Sequence, residues 1–285
     1  MSTLGVRLHD TARRLAAAGI SDSRLEADVL WMTALEIDRA QLYARLHDAP
    51  AEAHAAAAEA LTARRLRREP LAYVTGTREF YGLDLTIHPG VLVPRPETET
   101  LVAEALSVLA RRTEPAHAVA DIGCGSGAVA IALAASLPGV TVHAVDRSPS
   151  AVALTRANAD RHGVGARVHV YSGDLTAPLP EPVDLIAANL PYVRSDELPT
   201  LDPEVSTFEP AEALDGGTDG LDLVRRLLRE APAHLKPGAA VLLELDPRQF
   251  ETARAFAAET MPRADVRSAR DLAGRERVLV LETPA

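Results

Sequence analysis

The stretch "ADIGCGSGAVAIALA", residues 120–134, carries Gly123, Gly125 and Gly127 between an apolar run and an Ala-rich segment of helical composition. Strand, tight turn and helix in that order form a ligand cradle. Glycines let the backbone turn sharply and approach a bound group, and the helix start offers free N–H donors. Taken alone the pattern is ambiguous, because G-x-G-x-x-A with Ala128 in last place also fits a dinucleotide fingerprint. Nineteen residues beyond Gly127, Asp146 closes the apolar run "VTVHAVD", where a carboxylate can accept both hydroxyls of a ribose. A nicotinamide dinucleotide and S-adenosylmethionine both need that group. Two further carboxylates favour the latter. Asp121 precedes the loop, placed to meet an ammonium group that a dinucleotide lacks, and Asp174 in "SGDL" is placed to accept from an adenine amino group.

Outward from this loop, strands are expected at "AVADIG", "VTVHAVD", "RVHVYSG", "VDLIAAN" and "AAVLLELD", with helices after most of them. Such alternation implies a parallel sheet covered on both faces. The segment "ADVRSARDLAGRERVLVLE" adds two strands around Gly274. Seven strands closing in a hairpin favour an α/β class I methyltransferase sheet, Rossmann-like, over a six-stranded dehydrogenase. Upstream, residues 1–72 read as a small bundle of four helices, with capping-box spacings at Ser23/Glu26 and Asp38/Gln41. The cluster "RRLRR", Arg64 to Arg68, reads either as a solvated helix end or as a contact for an acidic partner. Residues 73–98 lose the helical period, and "REFYGLDLTIHPGVLV" alternates like a hairpin linker before the corner Pro94-Arg95-Pro96. Residues 99–285 then form the catalytic domain.

The fourth strand of the sheet delivers "NLPY", Asn189 to Tyr192, to the same edge as the glycine loop. A planar amide or amine nitrogen is a poor nucleophile because its lone pair is delocalised. Two acceptors, the Asn189 side-chain oxygen and the carbonyl of Leu190, are expected to hold its two N–H groups and aim it at a methyl donor. They bind the positive charge that develops on the nitrogen more strongly than the ground state, which is differential transition-state binding. The ring of Tyr192 is expected to pack on the planar group. None of the nine histidines has a metal-ligand spacing, so no metal is expected.

Composition narrows the partners. An apolar fraction of 47% with 25% charged residues is that of a folded soluble protein, and the formal charge of −10 disfavours a partner held by phosphate neutralisation. Aromatics are only 4%, which is sparse for base stacking. The single cysteine, Cys124, excludes an intrachain disulfide framework and fits a reducing, cytoplasmic setting. The opening "MSTLGVRLHDTARRL" has no apolar core of signal-peptide length, and the longest apolar run is far short of the roughly 20 residues that span a bilayer.

The motifs "EFYGLDLTIHPGVLVPRPETE", "DIGCGSGAVAIALA", "GDLTAPLP", "NLPYV", "FEPAEALDGGTDGLD" and "DLAGRERV" occur in this order, and over nearly its full length the chain resembles the release-factor glutamine methyltransferases, the HemK-like family. The resemblance implies methyl transfer from S-adenosylmethionine to the side-chain amide of the glutamine in the GGQ motif of class 1 peptide chain release factors. It also implies an amino-terminal helical domain that helps to hold the release factor. A monomer is expected. Carried over by motif, Gly123, Cys124, Gly125, Ser126, Gly127 and Asp146 would bind the cofactor with Asp121, Asp174, Leu175 and Asn189. Asn189, Leu190, Pro191 and Tyr192 would bind the glutamine, with Arg95, Glu97, Phe208, Glu209 and Pro210 at the mouth. Two departures stand out: Leu190 replaces the family's usual proline, and "LLELDPRQ" has Leu245-Asp246 where a short glycine segment is common. NLPY is also familiar from enzymes that methylate adenine N6 in RNA, so an adenine N6 methyltransferase acting on RNA or DNA is the rival reading.

Overall fold

The computed structural model describes residues 2–112 and 118–284. The chain divides into two compact units, one of residues 1–77 with 202–208, the other of residues 78–201 and 209–285. Residues 202–208 therefore belong with the helical unit, a grouping that sequence order does not suggest.

The first unit contains α1 (Leu4–Ala17), α2 (Ser23–Leu35), α3 (Arg39–Ala44), α4 (Glu52–Leu66) and α5 (Leu71–Thr75). The four expected helices are present, and α5 is an additional turn ended by Gly76 in the left-handed conformation. Leu8, Leu15, Leu30, Trp31 and Leu42 fill the core between them. The two capping-box spacings fare differently. Asp38 and Gln41 form the reciprocal pair, whereas α2 starts from Asp22 without a side-chain cap. Glu26 is engaged elsewhere, accepting from Arg65 at 2.6 and 3.2 Å. Of the "RRLRR" cluster only Arg67 is exposed to solvent, and the other three arginines are engaged within the unit. Arg65 is 5% exposed and also pairs with Glu204 at 2.9 Å, Arg68 pairs with Glu204 at 2.7 Å, and Arg64 pairs with Glu69.

In the second unit, β1 (Thr77–Phe80) and β2 (Leu83–Thr86) make the expected hairpin. Its two-residue turn has Tyr81 and Gly82 both at positive φ, 52° and 75°, the combination that suits the twist of paired strands. Then follow α6 (Glu99–Ala110), β3 (Ala118–Ile122), α7 (Ala128–Ser136), β4 (Thr141–Asp146), α8 (Pro149–Arg161), β5 (Val168–Ser172) and β6 (Val183–Ala188). After α9 (Pro203–Phe208), which belongs to the first unit, come α10 (Asp222–Glu230), β7 (Leu235–Glu244), α11 (Phe250–Thr260), β8 (Asp265–Arg270) and β9 (Glu276–Glu282). The seven strands are ordered β5-β4-β3-β6-β7-β9-β8. The first five run parallel, and β9 lies antiparallel to both β7 and β8. This is the class I methyltransferase sheet. Strands β3 and β6 are buried along their whole length, as central strands covered on both faces must be. The order turns back at β3, whose neighbours are β4 and β6, so the carboxyl ends of these strands leave a crevice between their loops. Among the described residues no helix is long and apolar enough to cross a membrane.

Candidate active site

A cleft of about 1080 Å³, counting its open mouth, lies at those strand ends. Its wall brings together nearly every residue expected to meet the cofactor: Asp121, Gly123, Cys124, Gly125, Ser126, Asp146, Asp174, Leu175 and Asn189. Gly127 is the exception. It opens α7 at φ 83°, and a Cβ there would stand 2.9 Å from the Thr155 methyl of α8. Its absence of a side chain serves helix packing and not ligand approach.

The carboxylate of Asp146 is anchored from beneath, Oδ2 accepting from Gly125 N at 2.9 Å and Oδ1 from Ser148 N at 2.8 Å. Each oxygen keeps lone-pair capacity for a hydroxyl donor. Asp121 is 2% exposed, and Oδ2 accepts from Ala130 N at 2.9 Å. Burial, with Asp146 nearby, pushes its pKa up to about 7. An ammonium group in the cleft would offset that burial cost. Asp174 is exposed and held by Arg226, while Leu175 is buried at φ 46°, a left-handed backbone that turns the loop after β5 into the cleft wall. An anionic edge over apolar Leu175, Leu190 and Leu223 fits the mixed polar and apolar surface of S-adenosylmethionine.

Asn189, Leu190 and Pro191 line the same cleft. Asn189 Nδ2 donates to Thr98 Oγ1 at 3.0 Å, which turns the amide oxygen away from Thr98. Leu190 is 3% exposed and packs into the core beneath the loop, close enough that a Cβ on Gly123 would lie 3.2 Å from its Cδ2. Tyr192 is half-buried and lies outside the cleft wall. Its phenol is pushed up by burial and by Glu244, so it stays protonated. Its carbonyl accepts from Gln249 Nε2 at 2.8 Å.

The loop "ALDGGTDGLD" closes over this segment: Val193 N donates to Leu214 O at 2.9 Å and Gly216 N to Val193 O at 2.8 Å. Gly220, at φ 78°, packs so tightly that any side chain would overlap the Tyr192 carbonyl and Gln249. The departure at Leu245-Asp246 leaves a well-formed turn, because Asp246 caps it and accepts from Arg248 N at 2.9 Å while Gln249 reciprocates.

The mouth residues separate. Arg95 and Pro210 line the cleft. Glu209 lies behind Arg95, both carboxylate oxygens accepting from its Nη2 at 2.8 Å, and burial raises its pKa against the pull of that guanidinium. Glu97 is outside the wall, and Phe208 groups with the helical unit. Two residues of the arrangement were not anticipated. Thr98 fixes Asn189, and Glu244, at the end of β7, is 1% exposed with its pKa raised by burial to about 7. A sequence signal existed for the second, since a charged residue ending the run "AAVLLE" must sit at the edge where β6 delivers Asn189.

Comparison with known proteins agrees with this geometry. Residues 8–76 match the PrmC N-terminal domain and residues 99–201 the methyltransferase small domain. The chain is 46% identical to the release factor glutamine methyltransferase of Geobacter sulfurreducens, over 84% of this chain and 82% of that one. It is 41% identical to the enzyme of the same name from Gloeobacter violaceus over 93% of each. The fold is that of a methyltransferase from Pyrococcus furiosus, with a TM-score of 0.54 at 19% identity, over 79% of this chain and all of that one. A glycine cradle, an amide-presenting strand end and relatives at this identity over most of both chains place the chain in the release factor glutamine methyltransferase family.

Proposed function

We propose that the protein transfers a methyl group from S-adenosylmethionine to the side-chain amide nitrogen of the glutamine in the GGQ motif of class 1 release factors, and so acts in translation termination. The observation that carries this reading is the hydrogen bond from Asn189 Nδ2 to Thr98, which leaves Oδ1 as an acceptor on the wall of the cleft lined by Asp146 and the glycine loop. S-adenosylmethionine, when bound, supplies an electrophilic methyl group. Asp146 would hold its ribose, Asp121 its ammonium group, and Asp174 with Leu175 its adenine. Asn189 Oδ1 and the Leu190 carbonyl would each accept one N–H of the glutamine amide and aim its nitrogen. Because positive charge grows on that nitrogen, both acceptors bind it more tightly as reaction proceeds. Tyr192 would stand next to this position in the chain, and Arg95 and Pro210 on the cleft wall would shape the approach with Glu209 holding Arg95.

The helical unit would grip the release factor, and the enzyme would work as a cytoplasmic monomer. A net charge of −10 supports a protein substrate over a nucleic acid. Incubation with labelled S-adenosylmethionine, a purified release factor, its GGQ-to-GGA variant and ribosomal RNA tests the substrate. Label is expected on the unmodified factor alone, and label on RNA, or equally on the GGA variant, would overturn the reading. Asn189→Ala should lower turnover by roughly 10² or more with cofactor affinity nearly unchanged. Turnover within a few-fold of wild type would remove Asn189 from this role.

A further inference from the structure

Asn189 follows Ala188, whose partner in β7 is Leu243, the residue before Glu244. Parallel register therefore brings the Glu244 carboxyl group to the strand end that presents Asn189. Glu244 is 1% exposed, and neither of its carboxylate oxygens has a hydrogen-bond partner among the described residues. Thr98 and Tyr192 face it with hydroxyl groups that favour its ionised form, Arg277 adds a nearby positive charge, and Glu97 a negative one. Thr98, itself 4% exposed, accepts from Asn189 Nδ2 at 3.0 Å. A buried carboxylate this poorly satisfied costs stability, and the glutamine reading above assigns it no part.

A hydroxyl can accept and donate at once, whereas a carboxylate only accepts. With Glu244 ionised, the Thr98 proton is drawn toward it, and Thr98 Oγ1 must then receive its hydrogen bond from the other side. The group on that side is the Asn189 carboxamide, whose NH2 end is thereby fixed toward Thr98 and whose oxygen end faces the cleft. The opposite orientation would offer N–H donors to a substrate amide that needs acceptors. Once the Thr98 hydroxyl turns to Glu244, the hydrogen bonds would end in a charge and polarise one another, making the last acceptor more negative.

We propose that Thr98 and Glu244 are positioning residues for methyl transfer, forming a buried relay that sets which end of the Asn189 carboxamide meets the substrate nitrogen. This rests on the amide-methylation reading of the site. Glu244 lies outside the cleft wall, and Thr98, on the wall, has its hydroxyl engaged by Asn189, so their loss should reduce kcat and spare cofactor binding.

The test is a double-mutant cycle with Thr98→Val, Glu244→Gln and the double variant, assayed on a purified release factor at about pH 8.5, where Glu244 is ionised. Each single change should lower kcat about tenfold or more with the cofactor Kd within about twofold, and the double variant should be no worse than the poorer single. Thr98→Ser, which keeps the hydroxyl, should recover most of the loss seen in Thr98→Val. Unchanged kcat in either single variant, multiplying effects in the double, or loss of cofactor affinity in step with kcat would overturn the relay. If Glu244→Gln does not fold, the valine and serine pair at position 98 still decides. A wild-type enzyme inactive on the release factor would instead reject the substrate reading, so the two failures are distinguishable.

Discussion

Two clusters of buried charge, one in each unit, are satisfied in opposite ways. In the helical unit Arg65 is almost wholly enclosed, yet it meets Glu26 and Glu204 at 2.6 and 2.9 Å, and Arg68 supports Glu204 from a second side. In the catalytic unit Asp121 and Glu244 are enclosed at least as deeply, with pKa values raised to about 7, and neither has a cation bonded to it. Desolvation is a cost in both places. Around Arg65 it is offset within the fold, and at Asp121 and Glu244 it is left standing at the strand ends where ligands bind. Buried charge left short of partners beside a cleft is a candidate for a functional role.

The largest test of that contrast is Arg65→Ala. Removing the cation strands Glu26 and leaves Glu204 with Arg68 alone, and breaking such a pair should cost about 3–5 kcal/mol, seen as a lower midpoint in denaturant melts. A loss below about 1 kcal/mol would mean that the network is ornamental.

Asp121 should behave the other way round. Its folded pKa, about 7, lies above the ordinary aspartate value of 3.8, so between those values the folded state holds the proton that the unfolded state has lost. Its contribution to stability is therefore fully present below about pH 4 and declines as pH rises through 7, by as much as about 4 kcal/mol for a shift of this size. Asp121→Asn should remove that decline and raise the melting temperature at pH 8, while weakening the binding of S-adenosylmethionine. A variant less stable than wild type at pH 8 would show that the carboxylate is not carrying an unrelieved charge.

The smallest effect is expected at Leu190→Pro, which restores the family's usual residue. The side chain there packs beneath Gly123, and the demand on the residue is for its carbonyl. Turnover should change by less than about fivefold, or about 1 kcal/mol. A larger change in release-factor methylation would make position 190 a determinant of substrate choice.

The sequence was most readable where one short segment carries the whole instruction. The seven strands, the hairpin after the helical unit and the Asp38–Gln41 cap are local patterns, and all of them formed. Ser23 and Glu26 had the same spacing as Asp38 and Gln41, but Glu26 went to Arg65, 39 positions away, because an enclosed cation outweighs a helix cap. The strand-end carboxylates around the glycine loop were legible because parallel topology sends every carboxyl end to one edge. Thr98 was not, since its contact with Asn189 spans 91 residues and a threonine before a helix reads as a cap. Phe208 illustrates a different limit. It lies in sequence one residue before Glu209, and only the packing shows that it belongs with the helical unit.

Gly220 and its neighbours grip the Asn189–Val193 segment by its main chain, through carbonyls and N–H groups that every residue supplies. A segment held in this way keeps its course whatever side chain stands at position 190. Drift between leucine and proline there can then be tolerated, while Asn189 answers to the chemistry and the glycines opposite answer to the main chain they brace. Among descendants of such a chain, position 190 would be free to wander first, and the plain loop that braces it would change as late as Asn189 itself.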